Sequence, residues 1–113
     1  MKTNAFAVFI GLAAFAISAP ALAQNDDDYI HCLLSDGTHD TVYFSGVFLG
    51  DYSHKERYEV AFSRYVHAEY PDVIGTGSCF FEDNPSAARS EQDGMKASKR
   101  RVYDNIISTG WTY

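Results

Sequence analysis

The sequence lacks the local patterns that mark common catalytic and metal-binding sites. It has no Gly-x-Ser-x-Gly motif, and its one His-Asp neighbour pair, His39-Asp40, falls in a predicted hairpin turn. None of the four histidines stands four residues from another, and none has a zinc-type spacing with a cysteine. We therefore predict no catalytic residue, no metal ligand and no cofactor.

Positive charge is also scarce. Nine lysines and arginines stand against fifteen aspartates and glutamates, which gives a formal net charge of −6. Nucleic acids and anionic membranes attract basic surfaces, so this balance argues against both as partners. It suits solubility alone or, alternatively, a basic protein partner.

The chain lacks an apolar run long enough to cross a membrane. The run over residues 5–17 is shorter than the roughly 20 residues that a spanning helix needs. It follows Lys2 and precedes Ala21-Leu22-Ala23, an arrangement typical of a secretory signal peptide. We predict a signal peptide over residues 1–23, a single domain over residues 24–113 and a periplasmic or secreted location. A retained membrane anchor is the alternative.

Cysteine occurs only twice, at Cys32 and Cys79. An exported chain with an even number of cysteines is typical of a disulfide-bonded protein, so we predict a Cys32–Cys79 bridge. Closing a loop of that length stabilises a fold by about 4 kcal/mol in the chain-entropy model. The alternative, a nucleophilic cysteine with a histidine partner, has no local signature here.

The clearest structural pattern is a helix that begins near Ser53. Apolar and aromatic side chains recur at three- and four-residue spacing, at positions Tyr58, Ala61, Phe62, Tyr65, Val66 and Tyr70. Ser53 and Glu56 have the spacing of a capping box. Pro71 predicts the end of the helix, because the residue before a proline avoids helical geometry.

Strand patterns surround this helix. We predict strands over residues 29–35, 41–48 and 78–82, with a last strand around Ile106, and a turn at Asp36-Gly37. Gly46, within the second predicted strand, suggests a β-bulge or a point where another part of the molecule comes close to the backbone. The resulting β-β-α-β-α-β order predicts a two-layer α+β domain: one four-stranded mixed or antiparallel sheet with both helices on one face.

A second, more polar helix is predicted from Pro85 to about residue 101. Asn84 suits its cap and Pro85 its first position. Basic residues gather near its end: Lys96, Lys99, Arg100 and Arg101. They suit the helix dipole and solubility, and the alternative is a patch that holds an anion or an acidic partner.

Tyrosine and tryptophan are enriched at binding hot spots. An aromatic, partly exposed sheet face is therefore a candidate partner-binding surface. The residues assigned to it are Tyr29, Tyr43, Trp111 and Tyr113. The alternative for Trp111 is a core position that closes the end of the sheet.

Several short segments resemble those of a set of small secreted or periplasmic proteins of Gram-negative bacteria. The segments are Val-Tyr-Phe-Ser-Gly-Val-Phe at 42–48, Phe62-x-x-Tyr-Val66, Tyr70-Pro71, Ser78-Cys-Phe80 and the ending Thr109-Gly-Trp-Thr-Tyr113. Members of that set carry a leader, a similar cysteine pair and a Gly-Trp-x-Tyr ending. The resemblance implies a periplasmic or secreted location and no catalytic residues.

These observations lead to three functional hypotheses. The first is a non-enzymatic exported binding module, inhibitor- or immunity-like, that docks another protein through its sheet face or C-terminal end. The second is a small hydrolase that uses histidine and carboxylate side chains. The third is a structural or envelope-stress factor without a dedicated ligand. A compact acid–base cluster in a concave pocket would favour the enzyme, and an aromatic patch would favour the binder.

Overall fold

The computed structural model describes residues 27–113, which form five strands and two α-helices. In chain order they are β1 (Asp27–Asp36), β2 (Thr41–Phe44), β3 (Phe48–Asp51), α1 (Lys55–Glu69), β4 (Ser78–Glu82), α2 (Pro85–Lys99) and β5 (Asn105–Ser108). The predicted α+β class is confirmed, with five strands instead of four. The signal peptide predicted over residues 1–23 lies outside the described residues.

The long strand β1 is the centre of a mixed sheet. It pairs antiparallel with β2, β3 and β4, and β5 pairs in parallel with β2. Ile30 faces partners in both β3 and β4, and Leu33 faces partners in both β2 and β4. A strand has two edges, so β2 and β3 lie end to end along one edge of β1 and β4 occupies the other.

The strand predicted over residues 41–48 is divided because Ser45 bonds directly to β1. The Ser45 N–H donates to the Cys32 carbonyl at 2.9 Å, and the Cys32 N–H donates to Ser45 Oγ at 2.7 Å. The hydroxyl in turn donates to the Gly46 carbonyl at 2.8 Å. This side-chain bond replaces a regular ladder contact, so the chain turns out of the sheet and re-enters it as β3.

The two helices cover opposite faces of the sheet, which differs from the expectation of one shared face. Side chains alternate along β1, so Ile30, Cys32 and Leu34 pack in one cluster with α1. His31 points the other way and bonds Glu91 of α2. Both faces of β1 carry side chains that must be buried, so one helical layer cannot cover them.

The larger core lies between the sheet and α1. Its helical contribution is Tyr58, Phe62 and Val66, all buried and spaced one turn apart as the sequence predicts. Cys32 and Cys79 are paired neighbours on β1 and β4 and are joined by a disulfide, which confirms the predicted bridge.

The start of α1 differs from the predicted capping box. A 3₁₀ turn over Tyr52–His54 precedes the helix, and the carboxylate of Asp51 accepts from the Ser53 N–H at 2.9 Å. This bond holds the pKa of Asp51 below its ordinary value, since it favours the charged form. Asp51 therefore caps the 3₁₀ turn, while His54, at the N-cap position of α1, makes no side-chain cap bond.

Gly50 makes room for the first turns of α1. A Cβ at this position would overlap the side chains of Ile30 and Tyr58. With glycine there, the Tyr58 hydroxyl reaches the backbone and accepts from the Asp51 N–H at 2.9 Å. Any larger residue would push α1 away from the sheet.

The start of α2 is as predicted. Asn84 has an extended backbone, and its side chain accepts from the Ala87 N–H at 2.8 Å, with Pro85 in the first turn. Only Ala88 and Gln92 of this helix are buried. The amide of Gln92 donates to the Ser45 carbonyl at 2.8 Å, so a polar bond helps to hold α2 on the sheet.

Candidate functional site

The outward face of α1 carries two adjoining cavities. The first, of about 630 Å³, lies between α1 and the loop before β4, and Thr76 and Gly77 form its far wall. The second, of about 520 Å³, lies toward the start of α1, where Tyr113 forms one wall. Glu56, Val60 and Arg64 line both cavities. We call this continuous surface the α1 groove.

The loop wall of the α1 groove is fixed to the helix by hydrogen bonds. Ser63 Oγ accepts from the Gly77 N–H at 2.7 Å and donates to the Glu59 carbonyl at 2.7 Å. His67 Nε2 lies 2.8 Å from the Gly75 carbonyl, to which it donates. The Cα of Gly77 sits so close to the helix that an added Cβ would lie 3.1 Å from the Phe62 ring. The loop wall is therefore held against α1 before any ligand binds.

Glu59 connects the floor of the groove to the edge of the sheet. Its Oε2 accepts from Lys55 Nζ at 2.6 Å and from the Cys79 N–H at 3.0 Å. The second bond satisfies a backbone donor on the outer side of β4, which is an edge strand within the described part of the chain. Edge strands with open donors invite pairing with other chains, so Glu59 protects this edge.

The C-terminal segment packs beside α1. The Trp111 ring lies 5.3 Å from the Phe62 ring and 5.6 Å from the Phe48 ring, between centroids. The Trp111 carbonyl accepts from the Gly46 N–H at 2.6 Å. Gly46 is thus the close-approach point that its position suggested, since an added Cβ would lie 3.1 Å from Thr112 Cγ2.

Trp111 is half-buried and joins the core, while the last residue remains accessible. The Tyr113 ring lies 4.8 Å from the Tyr58 ring, but 57% of the residue is exposed. Of the two readings left open for Trp111, the structure therefore favours a ring that closes one end of the core.

The four aromatic residues predicted to bind a partner do not form one surface. Tyr43 is buried in the α1-side core with its ring 4.7 Å from that of Tyr70, so it presents almost no surface. Tyr29 is half-buried and, by strand alternation, lies on the α2 side. Trp111 and Tyr113 lie together at the α1 side. The exposed member beside a cavity is Tyr113.

A compact acid–base cluster lies on the opposite face, under α2. His31 is fully buried, and its Nε2 donates to Glu91 Oε1 at 2.8 Å. Its Nδ1 has no hydrogen-bond partner among the described residues. A hydrogen bond with Glu91 and the negative charge of that residue raise the pKa of Glu82, and burial adds to the rise. The cluster therefore links β1, β4 and α2 through polar side chains.

No signal in the sequence marked this cluster. His31, Glu82 and Glu91 are far apart along the chain and have no motif spacing. Strand pairing brings His31 opposite Phe80, two residues before Glu82, and α2 then crosses above them. His31 lines neither cavity of the α1 groove, so its ring has no route to a substrate through them.

Asp36 bonds His39, one of the residues that line a third, smaller cavity of about 330 Å³ near Tyr43 and Tyr70. Its carboxylate is buried and accepts from His39 Nδ1 at 2.6 Å and from the Ile74 N–H at 3.2 Å. Burial by itself would raise the pKa of Asp36, but these hydrogen bonds outweigh it and hold the pKa below its ordinary value. These bonds hold the predicted turn after Asp36 in place, so the role of Asp36 is structural.

The described residues show no group of three or more histidine, cysteine, aspartate or glutamate side chains arranged to hold a metal. Neither helix in residues 27–113 is long and apolar enough to span a membrane. The protein matches no family model, no curated protein and no solved structure.

Proposed function

We propose that the chain is an exported, disulfide-stabilised binding module that docks another protein through the α1 groove. The observation that carries this proposal is the pair of cavities on either side of Val60, an apolar side chain that is 43% exposed. The buried stripe of α1 already supplies the core, so the fold does not need this outer face to be apolar. Val60 and the exposed ring of Tyr113 give a partner two apolar contact points within the α1 groove.

The groove has the chemistry to hold a short segment of a partner. Apolar side chains of that segment would straddle Val60 and contact the exposed ring of Tyr113. Arg64, which lines both cavities, would pair with a partner carboxylate. Because the loop wall is already pinned through Ser63 and His67, little ordering is needed on binding. This matches an inhibitor- or immunity-like module.

Export is part of the proposal. A buried disulfide in a small domain suits an oxidising compartment, and the leader-like residues 1–23 supply the route. A periplasmic or secreted location follows, in keeping with the resemblance to small exported bacterial proteins.

The acid–base cluster favours a second candidate, a small hydrolase. His31 and two carboxylates are residue types that such enzymes use. The His31 ring, however, has no exposed surface, so it cannot touch a substrate unless α2 moves. The accessible α1 groove therefore supports the binding module better than the buried cluster supports an enzyme.

The test is affinity capture with the wild-type protein and two matched variants. Val60→Asp places a charge in the groove, whereas Leu49→Asp makes the same change at a residue that is 57% exposed on another part of the surface. We expect a stoichiometric protein partner that is retained by wild type and by Leu49→Asp and lost by Val60→Asp. Titration calorimetry with the purified partner then measures the affinity.

Two outcomes would contradict the proposal. One is equal retention of the partner by both variants, which would place the interface elsewhere. The other is the absence of any stoichiometric partner in envelope and medium fractions, with all baits shown to be folded by circular dichroism. Hydrolase assays with His31→Ala as the inactive control would then be the next measurement.

A further inference from the structure

The end of α2 is a positively charged patch on an otherwise acidic protein. It contains four of the nine basic residues of the chain, followed directly by an exposed apolar residue. We call this surface the basic end of α2, and its residues are Lys96, Lys99, Arg100, Arg101 and Val102. The ion pairs found among residues 27–113 are His31–Glu91, His39–Asp36 and Lys55–Glu59, so within that part of the chain the four cations have no carboxylate partner.

Backbone hydrogen bonds already satisfy the carbonyl groups of Lys96, Ser98 and Lys99 at the end of the helix, without these side chains. The Lys96 carbonyl accepts from the Arg100 N–H at 3.0 Å, and the Ser98 carbonyl accepts from the Arg101 N–H at 3.2 Å. The Lys99 carbonyl accepts from the N–H groups of the next turn at 2.9 and 2.8 Å. The helix dipole favours cations in its last turn, but Arg101 lies beyond the helix. Capping therefore does not account for the whole patch.

Two of the four cations are held over aromatic rings. Lys96 Nζ lies 5.6 Å from the centre of the Phe44 ring, and Lys99 Nζ lies 5.8 Å from that of Tyr103. Such contacts restrict the lysine side chains and lower the entropy that they lose when a ligand binds. Val102 is 71% exposed, which is the highest value among the exposed large hydrophobic residues of the described chain. The surface thus combines ordered cations with an apolar contact point.

We propose that the basic end of α2 binds an acidic segment of another protein, with an apolar side chain of that segment against Val102. The choice of an acidic protein segment as the ligand follows from the positive charge of this surface and from its small extent. Exposed charges act over about 8–10 Å at physiological salt, so a short acidic segment meets mainly this local patch. An extended anionic membrane would also face the excess carboxylates of a chain whose net charge is −6. The patch is on a different helix from the α1 groove, and the two proposals are independent.

The test uses a fluorescent peptide of alternating glutamate and leucine as the probe, with binding to the purified protein followed by anisotropy. Arg101→Glu is expected to weaken binding about tenfold, because it replaces an attraction with a repulsion. Arg89→Glu is the matched control: it makes the same charge change at an exposed position near the start of α2 and is expected to change binding far less. Added salt should weaken wild-type binding.

The apolar contact has its own variant. Val102→Ser should weaken binding of the glutamate–leucine peptide and leave binding of a peptide of glutamate and serine unchanged. Equal weakening by Arg89→Glu and Arg101→Glu would overturn the proposal, because net charge would then explain the binding. Retention on vesicles of equal parts phosphatidylglycerol and phosphatidylcholine, with no binding of the peptide, would overturn it in favour of a lipid surface.

Discussion

Replacing Trp111 by alanine tests whether the C-terminal segment completes the core. The ring packs within 5.3–5.6 Å of Phe62 and Phe48, measured between centroids. Truncating a fully buried aromatic residue costs about 3–5 kcal/mol, and Trp111 is half-buried. We therefore expect Trp111→Ala to lower the free energy of unfolding by about 2–3 kcal/mol. For a domain of this size the corresponding fall in Tm is roughly 10–20 °C.

The assay is urea unfolding followed by far-ultraviolet circular dichroism, since Trp111 is the one tryptophan and the variant loses its fluorescence. Tyr113→Ala is the control, because it removes a neighbouring ring that is 57% exposed. Its expected cost is below about 1 kcal/mol. Equal losses in the two variants, or an unchanged midpoint for Trp111→Ala, would refute the assignment of this ring to the core.

Three further predictions concern stability and can be measured by the same unfolding experiments. Replacing both Cys32 and Cys79 by alanine should cost up to about 4 kcal/mol, and reductant should leave that variant unaffected; a wild type insensitive to reductant under unfolding conditions would contradict this. Gly94→Ala should add about 0.5–1 kcal/mol, because Gly94 lies within α2 and its Cβ would meet no other atom within 4 Å; a loss of stability would show that α2 needs flexibility there. Glu82→Gln should remove a pH dependence: because the pKa of Glu82 is raised, wild type loses stability as pH rises above the ordinary glutamate pKa of 4.5, and the variant should lose less over that rise. Parallel stability curves for the two proteins would contradict the raised pKa of Glu82.

Elements whose signals lie within a few residues were predictable from the sequence. β4 spans Ser78–Glu82, as the strand pattern over 78–82 indicates. α2 begins at Pro85, because the Asn84 side chain and the proline ring act on adjacent backbone groups. α1 ends at Glu69, two residues before Pro71, because the residue directly before a proline avoids helical geometry. The disulfide was also predictable, because a chain with two cysteines allows only one intramolecular pairing.

The candidate sites were predictable only in part. Tyr113 was assigned to a partner surface, and the structure places it beside a cavity. Tyr43 was assigned to the same surface and lies in the core, because alternation along a strand does not say which face is covered. Val60, the centre of the α1 groove, has no sequence signal, since an apolar residue outside the buried stripe of a helix is common.

The sequence by itself determined the two helices, the order of strands and helices around them and the covalent link between Cys32 and Cys79. Tertiary structure alone decided that α2 covers the second face of the sheet, that Ser45 divides a strand and that His31 meets Glu91. Each of these outcomes depends on contacts between distant parts of the chain, such as the bond from the Gln92 amide to the Ser45 carbonyl. Propensity, capping and turn chemistry act over a few residues, whereas the choice of face and edge follows from where all buried side chains can be covered at once.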